Sequence, residues 1–503
     1  MASGSTEREV KLAAWPGFFL PDLDGVVDGL QAVPLPALQL SATYYDTPDL
    51  RLTRAGLSLR HRVGDGKDAW TVKLPEGSDG PALVRRELHF PGGPATVPKE
   101  ASNLVRAHVR TEALAPVARL VTKRQRVELR DAAGIGAAEV ADDEVSVLDG
   151  RRLAARFREV EVELLGESPS SVLRALVACL RNAGAGAPDP VPKVVRALGA
   201  QAVSPPEVAP VELTDGAEVA DVVRAAIANG AARLIRHDPG VRLGDDPEDV
   251  HQARVATRRL RSDLRTFGRL LDAEWVGTLR EELKWLGGAF GGVRDTDVLD
   301  ERLRRHAAQL PSEDAKGVAA ILRRLSLGRD EHRAEMLADL EGDRYVRLLD
   351  ALVDAAANPR LLPEADAPAK DAAPELVRRP WSHLEKAVEA LADDHSDEAL
   401  HQVRIRAKRC RYAAEAVAPV VGKPGTRLAA AVANVQTVLG DWHDAVVAEE
   451  WLRASVQGGG TAAKALAAGQ LIAIERAEAS ELRGSWKPAW KKASSKKLGE
   501  WLR

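Results

Sequence analysis

The sequence predicts an α+β protein made of a strand-rich first part and an all-helical second part. In roughly the first 200 residues, short segments alternate apolar and charged side chains, which is the period of a β-strand. Residues 204–210 are rich in proline and indicate a stiff linker. Beyond them the apolar residues follow helical spacing, and one stretch recurs 150 positions later. We therefore predict a first domain over 1–203, a linker over 204–214 and a helical domain over 215–503, with repeats at about 215–355 and 375–503.

The overall composition is that of an ordinary globular protein. The 503 residues carry a formal net charge of -3, so the global charge points to no class of partner. The two cysteines, Cys179 and Cys410, lie far apart in apolar surroundings, which favours buried thiols over a disulfide. The first residues lack the apolar segment of a signal peptide, and no apolar run approaches the roughly 18 residues of a spanning helix. We expect a cytoplasmic protein without a membrane partner.

The first strand carries the motif Glu7-x-Glu9-x-Lys11. On a strand these three side chains point to the same face, because successive residues alternate. Two carboxylates and an ammonium are costly to bury without partners, so this face is expected to meet a divalent metal, a polyanion or both. A solvated helical turn is the competing interpretation of so short a motif.

Later strands also present charged side chains on one face. Basic side chains occupy the middle strands and carboxylates the last one: Arg60, Arg62, Lys73, Arg85 or Arg86, Arg124, Arg126, then Glu159, Glu161 and Glu163. A solvated sheet face would also alternate. If the sheet closes into a barrel, however, these faces line its interior. A basic lining with a patch of carboxylates suits a chain of phosphates together with divalent cations.

This ordered set of residues resembles the CYTH domain, the fold of the triphosphate tunnel metalloenzymes. The resemblance covers roughly residues 5–200 and implies a closed eight-stranded antiparallel barrel whose tunnel binds a triphosphate with Mg²⁺ or Mn²⁺. Family members hydrolyse inorganic triphosphate, thiamine triphosphate or nucleoside triphosphates, and some cyclise ATP. The chain departs from the family where it reads Pro192-Lys193-Val194, since Ser-Lys-Tyr is common there.

The resemblance also implies roles for individual residues. The implied catalytic residues are Glu7, Glu9 and Lys11. The implied triphosphate-binding residues are Arg60, Arg62, Lys73, Arg85, Arg124, Arg126 and Lys193. The implied metal ligands are Glu7, Glu9, Asp142, Glu159, Glu161 and Glu163.

The helical part contains an internal repeat. His251-Gln-Ala-Arg254 recurs as His401-Gln-Val-Arg404, an offset of 150 residues, which predicts two similar helical bundles related by a pseudo-two-fold axis. In each copy the basic side chains are three or four positions apart and form one stripe along a helix. Acidic neighbours on adjacent helices would satisfy a single stripe, but two copies at a fixed offset favour a surface for a polyanion.

The repeated residues resemble the CHAD domain over roughly residues 215–503. The match is carried by the two His-Gln-x-Arg motifs and by Arg294-Asp295-x-Asp297 and Leu439-Gly440-x-x-His443-Asp444. The resemblance implies two helical bundles that form a basic cleft for inorganic polyphosphate, and bacterial proteins that carry CYTH before CHAD are similar in order. Association with polyphosphate granules is then an expectation. The implied polyphosphate-binding residues are His251, Arg254, Arg258, Arg261, His401, Arg404, Lys408 and Arg411.

Together these patterns favour an enzyme that hydrolyses inorganic triphosphate and also binds polyphosphate. Inorganic triphosphate is favoured because the strands show no aromatic pocket for a base or a thiazolium ring. A polyphosphate-binding protein without turnover is one alternative. A class IV-type adenylyl cyclase or a thiamine triphosphatase in the same tunnel is another. Nucleic acid is a competing polyanion for the basic stripes, and competition by polyphosphate at matched salt would separate the two.

Overall fold

The structure is a computed structural model of the full chain. It describes residues 3–66, 68–79, 82–214, 216–391, 394, 396–457 and 459–502. The chain divides into two compact units, one ending at Glu207 and the other beginning at Val208. The division falls inside the proline-rich segment, where residues 204–214 form no helix or strand.

The first unit is a closed antiparallel barrel, as predicted. Around the barrel the strands follow the order β1-β5-β4-β3-β2-β6-β7-β8, and every neighbouring pair is antiparallel. Closure leaves no sheet edge exposed and gives the barrel an inner face. The strands are β1 (Ser3–Ala14), β2 (Gln31–Asp46), β3 (Ser58–Val63), β4 (Ala69–Asp79), β5 (Ala82–Phe90), β6 (Ala115–Arg130), β7 (Gly136–Asp149) and β8 (Arg152–Leu164).

Short helices accompany the barrel, and one of them covers part of its outer face. They are α1 (Arg51–Arg54), α2 (Lys99–Leu104), α3 (Arg106–Val109), α4 (Ser170–Asn182) and α5 (Lys193–Leu198). Helix α4 buries Leu176 and Leu180 completely against Val160 and Val162 of β8. Because those valines alternate with glutamates, the apolar face of β8 packs outward and its acidic face is directed into the barrel.

One part of the barrel interior is filled by apolar side chains. Val194 of α5 packs in a buried cluster with Ala42 and Tyr44 of β2, Leu120 of β6 and Val145 of β7. Since α5 begins at Lys193, this packing fixes the lysine at the boundary between the apolar cluster and the charged interior.

The second unit is helical. Short 3₁₀ turns connect several of its helices, among them Gly268–Leu270 and Pro363–Asp366. None of the helices in the described ranges is both long and apolar enough to cross a membrane. The helices are α6 (Val219–Leu243), α7 (Pro247–Thr266), α8 (Ala273–Ala307), α9 (Ala315–Glu341), α10 (Asp343–Ala357), α11 (Ala369–Ala390), α12 (Asp397–Val421), α13 (Lys423–Gln457), α14 (Ala462–Ala493) and α15 (Lys496–Gly499).

The predicted pseudo-two-fold relation between the two bundles is visible in the backbone. Helices α6, α7 and α8 begin 150 residues before α11, α12 and α13, and α8 and α13 both have 35 residues. The N–H of Val219 donates to the carbonyl of Ala367, and the N–H of Ala369 donates to that of Ala217, both at 3.0 Å. Each bond is the image of the other under the offset, as expected where the chain crosses its own pseudo-axis.

The two helices that carry the basic stripes begin with the same kind of cap. The Asp246 side chain accepts the N–H of Glu248 at the start of α7 (2.8 Å), and Ser396 accepts that of Ala399 at the start of α12 (3.2 Å). Acidic residues occupy both first turns, where they favour the helix start. Both basic stripes therefore begin one turn inside a well-defined helix.

Candidate active site and anion-binding surface

The barrel encloses a charged cavity of about 220 Å³. Most of the residues predicted for the tunnel line it, and they come from strands all around the barrel and from α5. The predicted residues that line the cavity are Glu7, Glu9, Lys11, Arg60, Arg62, Lys73, Arg85, Arg124, Glu161, Glu163 and Lys193.

The motif on β1 faces the acidic stripe on β8. Glu9 lies directly across from Glu163, and Lys11 across from Glu161, so all four side chains share the inner face. The Lys11 ammonium is 2.8 Å from Glu161 and 3.3 Å from Glu9. Burial opposes the charged form, but the two carboxylates outweigh it and raise the pKa of Lys11. Lys11 is therefore a permanent cation and is not available as a general base.

Lys193 joins three carboxylates at the start of α5. Its ammonium lies 2.6 Å from Glu161, 2.8 Å from Glu159 and 2.9 Å from Asp143. Burial opposes its charge, yet these carboxylates hold the pKa of Lys193 well above its usual value. Arg124 completes the group, since it binds both oxygens of Asp143 at 2.8 and 2.7 Å and also reaches Glu161. Buried charges on this scale are tolerable only because each has several partners.

A second group of charges lies on the strands opposite. The Lys73 ammonium is 2.5 Å from Glu7 and 3.0 Å from Glu87, and Arg60 donates to Glu87 at 3.1 Å. Burial opposes ionisation of Glu87. The charge of Lys73, a hydrogen bond with Glu7 and the charge of Arg60 nevertheless lower the pKa of Glu87 strongly. Glu7 is the protonated member of this pair, because burial and the neighbouring charge of Glu87 raise the pKa of Glu7 to about 8.

Three carboxylates of the cavity are less fully neutralised than the rest. Burial, with the negative charges of Glu9 and Glu161, raises the pKa of Glu163 to about 7, and Glu163 has no ion pair among the described residues. One oxygen of Glu9 is buried and accepts no hydrogen bond, although Lys11 lies within ion-pair distance of it. Glu7, Glu9 and Glu163 are thus hard oxygen donors of the kind that Mg²⁺ or Mn²⁺ prefers, although their oxygens do not all lie within 4.8 Å of one another.

The structure corrects one predicted metal ligand. Asp142 does not line the cavity but lies on the outer face of β7, where Arg158 donates to both its oxygens at 2.8 and 2.6 Å. Asp143 takes the inner position, because it is directly opposite Arg124, and opposed residues in a sheet share a face. Its side chain is fully buried.

Three other predicted positions are also placed. Arg126 shares the inner face of β6 with Arg124, but it pairs with Glu139 at 3.6 Å and does not line the cavity. Glu159 is fully buried beside Lys193 and Arg196, outside the lining. Of the two adjacent arginines on β5, Arg85 lines the cavity, since it lies across from Glu7.

The sequence did not assign functional roles to Glu87, Asp143 or Tyr44, all of which line the cavity. The signal for Glu87 was present, because it follows Arg85 by two positions on the same strand. Arg60 donates a hydrogen bond to the hydroxyl of Tyr44 at 3.4 Å. Burial opposes ionisation of this hydroxyl, but Arg60 and more distant cations lower the pKa of Tyr44. The segment from Ala42 to Thr47 is recognisable as a strand, but its sequence does not show which of Tyr44 and Tyr45 faces inward.

In the helical unit, the two basic stripes meet where α7 and α12 pack together. Arg254 pairs with Asp295 at 2.8 Å, while Arg258 donates to the hydroxyl of Tyr412 at 3.4 Å. The rings of His401 and His443 stack with their centroids 4.9 Å apart. The stripes therefore form one basic surface rather than two separate solvated faces.

This surface is short of negative charge. Burial, followed by the charges of Arg258, Arg404 and Arg254, lowers the pKa of Lys408 to about 7. The Nε atoms of Arg258 and Arg404 are buried and donate no hydrogen bond. Arg411 differs from the others, because Glu415 accepts from its Nε at 2.6 Å. Buried donors without acceptors, next to a lysine that loses its charge near neutral pH, fit an anion that is bound from outside.

A separate cluster in the helical unit has metal-like composition. His306, Glu475 and Glu478 offer ligand atoms within 4.8 Å of one another, the only such group of three in the described part of the chain. Arg302 lies between the carboxylates, 2.7 Å from Glu475 and 2.6 Å from Glu478. Its guanidinium supplies the positive charge that a cation would bring, so the cluster is an ion-pair network joining α8 to α14.

Comparisons with known proteins identify two domains in the chain. The CYTH domain model matches residues 5–194, and the CHAD domain model matches residues 225–453. The protein named "Uncharacterized protein MT2285" from Mycobacterium tuberculosis (strain CDC 1551 / Oshkosh) is 35% identical over 461 residues, which cover 86% of this chain and 85% of that protein.

Two solved structures are similar to part of the chain. PptA from Streptomyces chartreusis is 25% identical, covers 55% of this chain and 100% of its own, and has a TM-score of 0.46. The CHAD domain from the plant Ricinus communis is 26% identical, with 57% of this chain and 96% of its own covered and a TM-score of 0.47. The assignment rests on the two domain models and on the relative that covers 86% of the chain. The chain belongs to the family of proteins in which a CYTH domain is followed by a CHAD domain.

Proposed function

We propose that the tunnel hydrolyses inorganic triphosphate, or a closely related triphosphate, with Mg²⁺ or Mn²⁺, and that the CHAD domain binds polyphosphate. The observation that carries the proposal is the lining of the cavity, where fixed cations face three incompletely neutralised carboxylates. Hydrolysis of a phosphoanhydride needs charge neutralisation and positioning more than covalent chemistry. This lining offers both.

The cations of the tunnel would hold the substrate. Arg60, Lys73, Arg124 and Lys193 are each bound to carboxylates of the cavity wall in the ligand-free protein. Phosphate oxygens would replace some of these carboxylates as hydrogen-bond acceptors, and the planar guanidinium groups suit them in particular. Lys11 stays protonated and would contribute charge and orientation rather than remove a proton.

The metal would be held by Glu7, Glu9 and Glu163. When bound, a divalent cation supplies neutralisation of the phosphate oxygens and lowers the pKa of a coordinated water. Because Glu7 and Glu163 have pKa values of about 8 and 7, they must give up protons to act as ligands. Asp143 and Glu161 are less suited, since Arg124 and Lys193 both engage each of them.

Polyphosphate would lie along the surface formed by α7 and α12. The residues proposed to bind it share a cationic or hydrogen-bonding side chain on the facing stripes, and the most buried of them lack acceptors within the protein. Arg254, Arg258, Arg404 and Lys408 form the centre of this surface, and the histidines His251 and His401 lie at its start. Arg261 and Arg411 lie further along their helices.

The test is release of phosphate from inorganic triphosphate by the full chain in Mg²⁺ or Mn²⁺. Glu9→Gln keeps the size of the side chain and removes a metal ligand, so turnover is expected to fall by 100-fold or more, on the order of 3 kcal/mol. Glu144→Gln is the matched control, because Glu144 is exposed and follows the inward-facing Asp143. Its turnover is expected to equal that of the wild type.

Other outcomes would identify the alternatives. If the wild type releases no phosphate from triphosphate but binds polyphosphate, and an Arg254→Ala/Arg404→Ala variant does not, the enzyme proposal fails and a binding protein remains. If ATP yields pyrophosphate and a cyclic nucleotide, the tunnel is a cyclase. Faster turnover of thiamine triphosphate than of inorganic triphosphate would reassign the substrate.

A further inference from the structure

The CHAD domain contains two cavities that are images of each other under the internal repeat. One, of about 320 Å³, lies between α7, α11 and α12, and we call it the arginine pocket for its side chains Arg265, Arg269, Arg379, Arg406 and Arg409. The other, the twin cavity, lies between α6, α7 and α12. Every residue that lines the arginine pocket has its counterpart, 150 positions away, in the lining of the twin cavity.

The twin cavity neutralises its own basic side chains. Glu415 accepts hydrogen bonds from Arg259 and from Arg411, the latter at 2.6 Å. Asp263 is a further carboxylate in the wall, 3.4 Å from Arg259. The charges of Arg259 and Arg411 are therefore balanced within the protein. Arg258, which also lines this cavity, belongs to the central basic surface.

The arginine pocket carries the same backbone with the opposite charge balance. Arg265 stands at the position equivalent to Glu415, so a carboxylate in one cavity is replaced by a guanidinium in the other. Under the same offset, Arg406 is equivalent to Ala256 and Arg379 is equivalent to Asn229. With Arg269 in place of Pro419, the pocket has four arginines at positions where the twin cavity has none. The changes in the other direction are Glu375 for Ala225 and His383 for Arg233.

The acidic side chains around the pocket do not compensate for this change. Its lining carboxylate is Glu375, which is 2.6 Å from Arg378 and 3.7 Å from Arg269. Among the described residues, no carboxylate lies within 4.0 Å of the guanidinium groups of Arg265, Arg406 or Arg409. These three therefore face one cavity without a partner.

Arg265 is exposed, yet the arginines of the pocket are close enough to influence one another's charge. Burial and the charges of Arg409, Arg280, Arg261 and Arg406 lower the pKa of Arg265 to about 10. The pKa of Arg409 is lowered for the same reasons. Like charges held around a concave surface raise the local positive potential, and an anion that enters it is attracted.

We propose that the arginine pocket is a separate site for a compact phosphate anion with at least two negative charges, of the size of inorganic pyrophosphate. Guanidinium groups bind phosphate oxygens in pairs, and the hydroxyls of Ser262 and Thr266 in the wall add donors. The site lies beyond the central surface of Arg254, Arg258 and Lys408, and it is present once, because the repeat has diverged. The anion is either free pyrophosphate or the terminal phosphates of a longer chain.

The test is calorimetric titration of the full chain with inorganic pyrophosphate at constant ionic strength, in EDTA. Arg265→Glu and Arg406→Ala each give the pocket the residue that its twin carries. Arg233→Ala removes an exposed cation from the twin cavity and is the control. We expect both pocket variants to weaken the pyrophosphate site at least tenfold and the control to leave it unchanged.

An equal titration curve for the wild type and both pocket variants would overturn the proposal, as would an equal loss in Arg233→Ala. Thermal melts followed by circular dichroism on the same samples show whether the helical domain of each variant is folded. Triphosphate turnover, which does not depend on the pocket, tests the proposed tunnel activity separately. Titration with long-chain polyphosphate then separates the two sources of the anion. Weaker binding by Arg265→Glu assigns the pocket to the end of the polymer, whereas unchanged binding assigns it to free pyrophosphate.

Discussion

We expect Lys408 to make the proposed binding of polyphosphate by the CHAD domain sensitive to pH. Its pKa of about 7 in the ligand-free protein results from burial and from the neighbouring charges of Arg258, Arg404 and Arg254. A polyanion on this surface would screen those charges and restore the usual value of 10.5. Binding therefore takes up a proton wherever the free lysine is neutral, and affinity is expected to fall as the pH rises above 7.

The size of the effect follows from the two pKa values. With Lys408 at about 7 when free and 10.5 when bound, linkage predicts a roughly 50-fold loss of affinity between about pH 7 and pH 9. At about pH 8 the complex should take up roughly 0.9 proton, because about a tenth of the free lysine is charged. Burial and basic neighbours lower the pKa values of His251 and His401, and both histidines are present in the wild type and in the control described next.

The assay is titration with long-chain polyphosphate in buffers of different ionisation enthalpy, at constant salt and in EDTA. The matched control is Lys408→Arg, whose side chain keeps its charge throughout this range. Glu7, Glu163 and Asp263, whose pKa values lie near 7 to 8, are the same in both proteins. The wild type should lose affinity with rising pH and the control should not. Identical pH dependence in the two proteins would refute the role assigned to Lys408.

Four further predictions concern the barrel. Asp143→Asn is expected to lower triphosphate turnover at least tenfold, because Arg124 loses the carboxylate that holds it at two points. Asp142→Asn on the outer face should leave turnover within twofold, and equal effects of the two substitutions would refute the assigned faces. Glu163→Gln should raise the Mn²⁺ concentration needed for half-maximal turnover by roughly tenfold or more, and an unchanged requirement would exclude Glu163 as a ligand. EDTA should abolish turnover but leave the binding of polyphosphate by the CHAD domain, as measured by titration. Leu176→Ala should lower the free energy of unfolding by about 2–5 kcal/mol in denaturant titrations, because Leu176 is fully buried between α4 and the barrel.

The barrel interior was predictable to the extent that strand period fixes the face of a residue. Glu7, Glu9 and Lys11 are separated by two positions, and the same rule placed Glu161 and Glu163 correctly on the inner face. The rule needs a reference within each strand. In β7 two aspartates are adjacent, so only the pairing of Asp143 with Arg124 decides which one faces inward, and that pairing is a tertiary fact.

The helical domain was predictable along each helix but not between helices. The spacing of Arg254, Arg258 and Arg261 defined a stripe, and the offset of 150 defined its partner. The pairing of Arg411 with Glu415 follows from their spacing of four on one helix. The sequence could not reveal that Arg259 of α7 donates to the same Glu415, because that contact joins two helices. The sequence did show that Arg265 corresponds to Glu415. Only the packing of α11 against α12 shows that Arg265 lines a cavity.

In the proposed functions both domains bind phosphate anions, but the cations of the two domains differ in how they are neutralised before the anion binds. In the tunnel the cations are already paired, as Lys193 is with three carboxylates. An anion must therefore displace these partners, and a divalent cation that takes up the released carboxylates makes the exchange favourable. On the CHAD surface the cations are crowded and Lys408 has given up part of its charge instead. An anion there displaces fewer carboxylates, such as the Asp295 partner of Arg254, and its binding takes up a proton. Metal dependence is thus expected in the domain that supplies carboxylates, and pH dependence in the domain that lacks them.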